Sequence, residues 1–521
     1  MTGLYSRMRH LAQERPRATA LVHCRRDGSA PTVAFAQLLS GCGLAAQAFR
    51  AAGVRRGNKA VVMTADPYHL VTTVYGLVAI GAVPVLVDPG LPRADLRQCL
   101  DEVAPEVFVG QPLAQLARTV LGWGRGHVRT PLVTGPALPG LGRRLRLPVP
   151  PPGVDGGLPD AEAAADDLAL IAFTSGSTGV PKGVEYRHGT LVGQADALGG
   201  VLGTDGVLFA GFLPFVLFAP LLGLTVIAPA VNHRAPARTP PDRLLRPLLE
   251  HRASVVAGSP AVLGLLADHC ACRGLTLPGV GRVVSFGAPL RTGLAQALHA
   301  VLPPRAEVLS AYGSTECLPV SAVSTAEQCG PGAGTCVGRP LGSVAARILD
   351  PDHDGIGEIA VTGANVSPAY HARPQATAAA KSMTADGVLH RMGDMGVIDE
   401  QGRLWFHGRR SHRVLGPDFV LTTEPAEAAA SAVPGVRRAA LVGIGPPGRQ
   451  QAVLCVELDG RETNRRTVLG AVRTALDRQP AGRRVADLLI HPGFPTDIRH
   501  NSKIDRERLA AWAARRLRRP Q

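Results

Sequence analysis

At 521 residues and 54.3 kDa the chain exceeds what one hydrophobic core usually organises, so about two to four domains are expected. Hydrophobic residues at 45% and charged residues at 19% exclude wholesale disorder, and with aromatics at 4% much of the interior must be Ala, Val and Leu. The formal charge of +15 raises nucleic acid as a partner, but the basic residues are scattered and no basic run is interleaved with aromatics, so no nucleic acid is expected.

The basic set is itself uneven. Lysine occurs only at Lys59, Lys182, Lys381 and Lys503, which leaves 56 − 4 = 52 arginines and makes each retained lysine worth inspecting. The nine cysteines are odd in number and form neither a CxxC pair nor a zinc spacing, which fits a reduced, cytoplasmic setting. The N-terminal MTGLYSRMRHLAQERPR lacks the apolar core of a secretion signal. Arg515, Arg516, Arg518 and Arg519 read as a solvated helix face that leaves room for a peripheral contact with acidic lipid.

In chain order, the first 130 residues alternate strand and helix patterns. Lys59 to Met63 reads as a strand, Pro67 to Ile80 as a helix and Val83 to Val87 as a strand. A helix from Arg93 to Val103, a strand from Glu106 to Val109 and a helix from Pro112 to Leu121 continue this α/β rhythm. Leu138 to Ala165, rich in Pro, Gly and acidic residues, reads as a linker or surface excursion. A second α/β block opens with the strand LALIAF at Leu168. It continues through a strand at Val283 to Phe286, a helix at Thr292 to Leu302 and a strand at Glu307 to Ala311. Between them, Gly206 to Val231 carries no charge and is long enough to cross a bilayer, but Gly211, Pro214, Pro220, Gly223 and Pro229 interrupt it. Buried strand or pocket wall is the expectation there, and no transmembrane segment.

After Gly357 the pattern turns to β-ribbon, with Glu400-Gln401-Gly402 as a hairpin turn. Beyond Arg409 the chain starts afresh: strands at Ala439 to Ile444 and Ala452 to Leu458, a helix at Arg465 to Leu476 and a last helix from Asp505 form a small α+β unit. The expected division is 1–408 and 409–521, a large α/β domain with a β-ribbon region followed by a small mobile α+β domain.

In open α/β sheets ligands gather outside the carboxyl ends of strands, and three strand-end loops here contain glycine. Thr174-Ser175-Gly176-Ser177-Thr178-Gly179-Val180-Pro181-Lys182-Gly183 follows LALIAF and is dense in glycine, hydroxyls and one lysine. Such a loop suits phosphate, because glycines let backbone N–H groups approach an anion while Lys182 supplies positive charge. It is not a Walker loop, since Pro181 precedes the lysine and no Ser or Thr follows it. Tyr312-Gly313-Ser314-Thr315-Glu316 offers a hydroxyl beside a carboxylate at another strand end, and Asp394 in RMGDMG is a carboxylate suited to a diol.

TSGSTGVPKG resembles the nucleotide loop of the superfamily of acyl-CoA synthetases, peptide-synthetase adenylation domains and firefly-type luciferases. The likeness runs from FAQLL, GVRRGNKAVVM and GAVPVLVDP to the final NSKIDR. It implies adenylation of a carboxylic acid with ATP and Mg²⁺. On that resemblance Thr174, Ser175, Gly176, Ser177, Thr178, Gly179 and Lys182 hold phosphates, Thr315 contacts the α-phosphate and Glu316 binds the metal. Tyr312 stacks on adenine opposite Gly287, Ala288 and Pro289, Asp394 takes the ribose, Arg409 lies near ribose and phosphates, and Lys503 closes over the reaction. Ser411 stands where relatives carry a hinge Asp or Lys, and Ser502 replaces a customary glycine, two departures that bear on the hinge and the closing loop.

GVEYRH, LPFVLFAPLLGLTVIAP, YGSTECLPVS, GRLWFHGRRSHRV and HPGFPTDIRHNSKIDRERLAAWA are similar to the β-lactone synthetases of bacterial olefin and β-lactone pathways. That likeness implies a long-chain 2-alkyl-3-hydroxy fatty acid as substrate, ring closure by its own 3-hydroxyl, and other enzymes of such a pathway as partners. Phe215 and Phe218 would then wall an alkyl tunnel. The rival reading is an acyl-CoA or acyl-carrier ligase, for which CoA would be a co-substrate. It is weakened because no basic residue lies between Arg413 and Arg437. A non-catalytic binding protein on the same fold is a more distant rival. His188, His390 and His407 lie beside motifs where an imidazole could assist deprotonation, but each reads first as a structural histidine.

Overall fold

The computed structural model describes residues 3–88, 91–136, 139–158, 163–173, 181–231, 238–327, 334–459, 464–495 and 504–518. Two large sheets dominate them. In an eight-stranded sheet, Lys59–Met63 lies between the parallel strands Val83–Leu86 and Val107–Gly110, and Leu168–Phe173 extends the parallel run beside Val83–Leu86. Gly183–Arg187 then returns antiparallel to Leu168–Phe173, so the glycine-rich stretch connects two paired strands. Parallel pairing demands crossovers, which the helices Pro67–Ala79 and Arg93–Val103 supply. Pro67 starts the first of these after Asp66, whose carboxylate caps the His69 N–H at 2.9 Å. Every residue of that helix except His69 is buried, because it lies between the two sheets in a shared core.

The second sheet has 14 strands among the described residues. Its parallel half runs Thr225–Ala228, Val207–Ala210, Val255–Gly258, Arg282–Phe286 and Glu307–Ser314. From there it becomes antiparallel through Cys317–Ser324, Thr335–Pro340 and the hairpin Gly387–Ile398/Leu404–Arg409, turned at 399–403 as the Glu400-Gln401-Gly402 signal predicts. The change from parallel to antiparallel pairing falls at Tyr312-Gly313-Ser314-Thr315-Glu316.

Two expectations change in detail. The uncharged Gly206 to Val231 stretch is a strand, the helix Phe215–Leu222 and a second strand; its buried strand character was legible, the helix was not. Pro220 inside that short helix removes one hydrogen bond, a loss offset by burial of nearly all its side chains. The proline-rich stretch after Gly140 is no loose linker in its described part. It straps the helix Phe35–Ala51: Gln37 and Gln47 donate to the carbonyls of Pro150 (2.9 Å) and Gly156 (2.8 Å), and Tyr68 donates to Pro148 (2.9 Å). A Cβ on Gly156 would lie 2.0 Å from the Ser40 carbonyl, so this crossing requires glycine.

The C-terminal residues build a three-stranded sheet from Val436–Ile444, Gln451–Leu458 and Val485–Ile490. Helices Glu424–Ser431 and Arg465–Asp477 cover one face and Arg506–Leu517 the other, each burying its own apolar cluster. Asp505 caps the last helix by accepting from the Arg508 N–H at 3.1 Å.

Candidate active site

The two lobes face each other across a cavity of about 1670 Å³. Its wall on the large-lobe side is made by Gly287, Ala288 and Pro289, which follow the strand Arg282–Phe286, and by Tyr312, Asp394 and Arg409. Gly287 holds φ +93, a backbone state that favours glycine, and a Cβ there would meet nothing within 4 Å. Ser411, in the short turn Arg410–His412, also borders the cavity, as do Ile504, Asp505 and Arg506 of the small lobe.

Asp394 and Arg409 are direct partners across the hairpin. Asp394 is 2% exposed and accepts a hydrogen bond from the Tyr312 hydroxyl on Oδ2 at 2.6 Å. Its Oδ1 lies 3.0 Å from Arg409 Nε, yet no N–H is aimed at it, so this buried oxygen keeps a free acceptor direction. Burial pushes the Asp394 carboxyl up, while Arg409 and the Tyr312 hydrogen bond pull it back only in part. Arg409 itself donates to the Met392 carbonyl at 3.2 Å.

The turn after Glu307–Ser314 presents Thr315 and Glu316. Gly313 is needed because a Cβ would sit 2.7 Å from the Cys317 carbonyl. The Thr315 carbonyl accepts from the Tyr186 hydroxyl, and the Glu316 carbonyl from the Ser367 N–H at 2.8 Å. Glu316 Oε1 accepts from the Tyr370 hydroxyl at 2.7 Å. Burial raises the Glu316 carboxyl, but attraction to the protonated form of His390 and the hydrogen bond from Tyr370 more than offset this, leaving it below the usual range.

Two of the four lysines meet here. Lys182 Nζ stands 4.8 Å and Lys381 Nζ 5.3 Å from the centre of the Tyr370 ring. Lys381 donates to the carbonyl of Ser367 at 2.7 Å and to its hydroxyl at 3.1 Å. Desolvation lowers its ammonium to about 8, with Lys182 adding repulsion and Glu316 and Cys317 opposing. Tyr370, Lys381 and His390 were not singled out from sequence as site residues. The scarcity of lysine was the signal available for Lys381, and a place beside RMGDMG the signal for His390; nothing local distinguishes Tyr370.

His390 is 2% exposed and lowered to about 4, first by desolvation and then by Lys381. The unfolded imidazole, near 6.5, binds its proton earlier on acidification than the folded one. Stability therefore falls as pH drops from about 6.5 to about 4, by up to roughly 3 kcal/mol for this group. Urea midpoints of the wild type and His390→Asn across that window should differ in slope, the variant being flatter.

The remaining expected residues divide as follows. Thr174, Ser175, Gly176, Ser177, Thr178 and Gly179 lie outside the described residues, as does Lys503. Phe215 is 2% exposed and packs on Phe286 with ring centres 4.7 Å apart; Phe218 lies against the same core, and neither lines the interlobe cavity. Beside Ser411, Arg410 pairs with Glu358 at 2.8 Å, a carboxylate shared with Arg391 at 2.5 Å, so a charge contact exists one residue before the expected hinge.

The small lobe reaches the large one through Glu424, whose carboxylate accepts from Thr335 Oγ1 at 2.7 Å, and through Ser431, bonded by Arg291. Behind this contact Arg506 donates to both oxygens of Glu427, at 2.6 and 2.9 Å, and to the Leu441 carbonyl at 2.8 Å. Glu427→Ala leaves that buried guanidinium uncompensated and is expected to cost about 3–5 kcal/mol. Denaturant unfolding followed through Trp512, which packs on His491 in this lobe, measures it.

A family model described as AMP-binding enzyme matches residues 8–371. The chain belongs to the AMP-binding enzyme family. It is an AMP-forming ligase or synthetase. Olefin beta-lactone synthetase from Stenotrophomonas maltophilia (strain K279a) is 40% identical over 99% of this chain and 98% of its own length. The protein of the same name from Xanthomonas campestris pv. campestris is 40% identical over 97% of this chain and 96% of its own. Among solved structures, the amide bond synthetase McbA from Marinactinospora thermotolerans superposes with a TM-score of 0.80 at 22% identity, covering 98% of this chain and 99% of that one. ATP-bound MatB from Rhodopseudomonas palustris gives 0.77 at 22% identity, with 98% and 99% covered. The α/β fold is thus that of the family along the whole chain. No helix among the described residues is long and apolar enough to cross a membrane.

Proposed function

We propose that the chain adenylates a long-chain 2-alkyl-3-hydroxy fatty acid and lets the acid's own 3-hydroxyl close a β-lactone. The observation that carries this reading is the 40% identity to two olefin beta-lactone synthetases along 97–99% of the chain, both lobes included. In the first step a carboxylate oxygen attacks the α-phosphorus of ATP and pyrophosphate leaves. In the second the 3-hydroxyl oxygen attacks the acyl carbon, its proton passes to solvent, and AMP leaves. Tethering the nucleophile to the electrophile replaces a second substrate by proximity.

The described residues fit a nucleotide. Asp394 Oδ1, buried without a donor, suits a ribose hydroxyl, and Tyr312 with Gly287, Ala288 and Pro289 forms a slot for adenine. Arg409 adds positive charge beside it. Lys182 and the Thr174–Gly179 loop are assigned to the phosphates, Thr315 to the α-phosphate and Lys503 to the transition state. The ionised Glu316 suits a divalent cation, and Mg²⁺ bound there would screen phosphate charge and favour pyrophosphate departure. The domain boundary is placed at 408/409 with Ser411 as the pivot. The setting proposed is cytoplasmic, among enzymes that supply the hydroxy acid and consume the lactone.

Thioester formation is the second reading, favoured by feruloyl-CoA synthase from Amycolatopsis, 27% identical over 89% of this chain. Against it stands the segment after Arg413, which carries no cation before Arg437 for the phosphates of CoA. Incubation with ATP and a racemic 2-alkyl-3-hydroxy acid, with and without CoA, separates the two. Lactone without CoA is the expected product; acyl-CoA only when CoA is present refutes the proposal.

A further inference from the structure

The helix Pro112–Leu121 turns three of its four larger aliphatic side chains away from the protein. Leu113, Leu116 and Val120 are 71%, 47% and 73% exposed, and their spacing puts them on one stripe. The opposite face carries Gln115, fully buried, whose amide donates to the carbonyls of Phe108 at 3.0 Å and Leu132 at 2.8 Å. Ala114, Ala117 and Leu121 make the apolar contacts with the sheet. The helix is thus anchored by a glutamine, two alanines and its last leucine while three of its four larger aliphatic groups meet solvent, unlike a surface helix whose aliphatic stripe stabilises a core.

The surroundings are basic. From Val107 to Val154 the sequence has no Asp or Glu and carries Arg118, Arg125, Arg129, Arg143, Arg144 and Arg146. Arg125 and Arg129, in the loop that follows the helix, are exposed. On the edge strand Arg143–Leu145, Leu145 enters the core beneath the helix Phe35–Ala51 and Arg143 donates to the Ala51 carbonyl at 3.0 Å. Strand alternation therefore directs the exposed Arg144 to the other face of the sheet, the face that Pro112–Leu121 covers.

We propose that this corner docks the protein on an anionic phospholipid bilayer. Leu113, Leu116 and Val120 enter the boundary between headgroups and acyl chains, while Arg125, Arg129 and Arg144 meet lipid phosphates. Charge selects this occupant: a second copy of the chain would bring the same arginines against each other, whereas an anionic surface neutralises them. The lactone reading gives the docking a use, since a long-chain acid partitions into bilayers, but the inference rests on the surface alone.

The test is flotation of the full chain with vesicles of phosphatidylglycerol and phosphatidylcholine, about 3:7, against vesicles of phosphatidylcholine, at physiological salt and without any acid substrate. Wild type should bind the anionic vesicles at least about tenfold more tightly than the neutral ones. Leu113→Gln/Leu116→Gln/Val120→Gln should weaken that binding by about tenfold or more, and Arg125→Ser/Arg144→Ser should remove the preference for anionic lipid. All these positions are exposed, and melting curves matching wild type establish that the variants fold. Wild type that stays off anionic vesicles, a triple variant that binds as tightly as wild type, or a patch that instead mediates a dimer lost in the triple variant overturns the proposal. Because no acid is present, failure of the lactone assay leaves the vesicle result standing.

Discussion

Lys503→Ala is expected to slow acyl-adenylate formation by about 10²–10³-fold. Negative charge accumulates on phosphate oxygens as the carboxylate attacks, and a positioned ammonium inside a closed, water-poor site stabilises it more than bulk solvent does. In sequence the lysine directly precedes Ile504, Asp505 and Arg506, which border the interlobe cavity. The loss should appear in kcat for pyrophosphate release with little change in the KM for the acid, because an interaction made in the transition state is being removed. Chemically prepared acyl-AMP supplied to the variant should still close to lactone at a rate much nearer wild type. An unchanged rate of pyrophosphate release would withdraw Lys503 from the mechanism.

Glu316→Gln is expected to reduce adenylation by about 10²-fold, a loss typical of one electrostatic partner at a reacting centre. The substitution is nearly isosteric, and a glutamine carbonyl still accepts from the Tyr370 hydroxyl that now bonds Oε1 at 2.7 Å. What disappears is the charge. If that charge holds Mg²⁺, the variant should need a higher magnesium concentration for half-maximal rate, while chelation of the metal should abolish the wild-type rate. The same change removes the group that opposes the desolvation of Lys381, so that ammonium should fall below its present value of about 8. A changed rate with an unchanged magnesium requirement would assign Glu316 to holding Tyr370 and Lys381 in place.

Much of the architecture could be read residue by residue. The helices Arg93–Val103 and Pro112–Leu121 end where their patterns predict, and the Glu400-Gln401-Gly402 turn marks the hairpin that pairs Asp394 with Arg409. Such signals are local: apolar periodicity, proline at a helix start and turn-forming residues act within a few positions of the backbone they shape. Part of the candidate site was legible for the same reason, since the strand-end hydroxyl and carboxylate of Thr315 and Glu316 are contiguous in the chain.

What the tertiary structure alone decided is which distant groups share a desolvated environment. Lys381 and His390 come to Glu316 through strand order, and burial then depresses both, an effect no local pattern encodes. The helix Phe215–Leu222 survives its proline because the surrounding sheets and helices bury it. Leu113, Leu116 and Val120 face solvent although their spacing suits a core face, because Gln115 finds two carbonyls on the sheet and settles which side of the helix turns inward. Sequence determined the elements and the kinds of group available for adenylation; packing determined the direction each face points and the charge each buried group carries, because desolvation depends on everything within a few ångströms and not on neighbours along the chain.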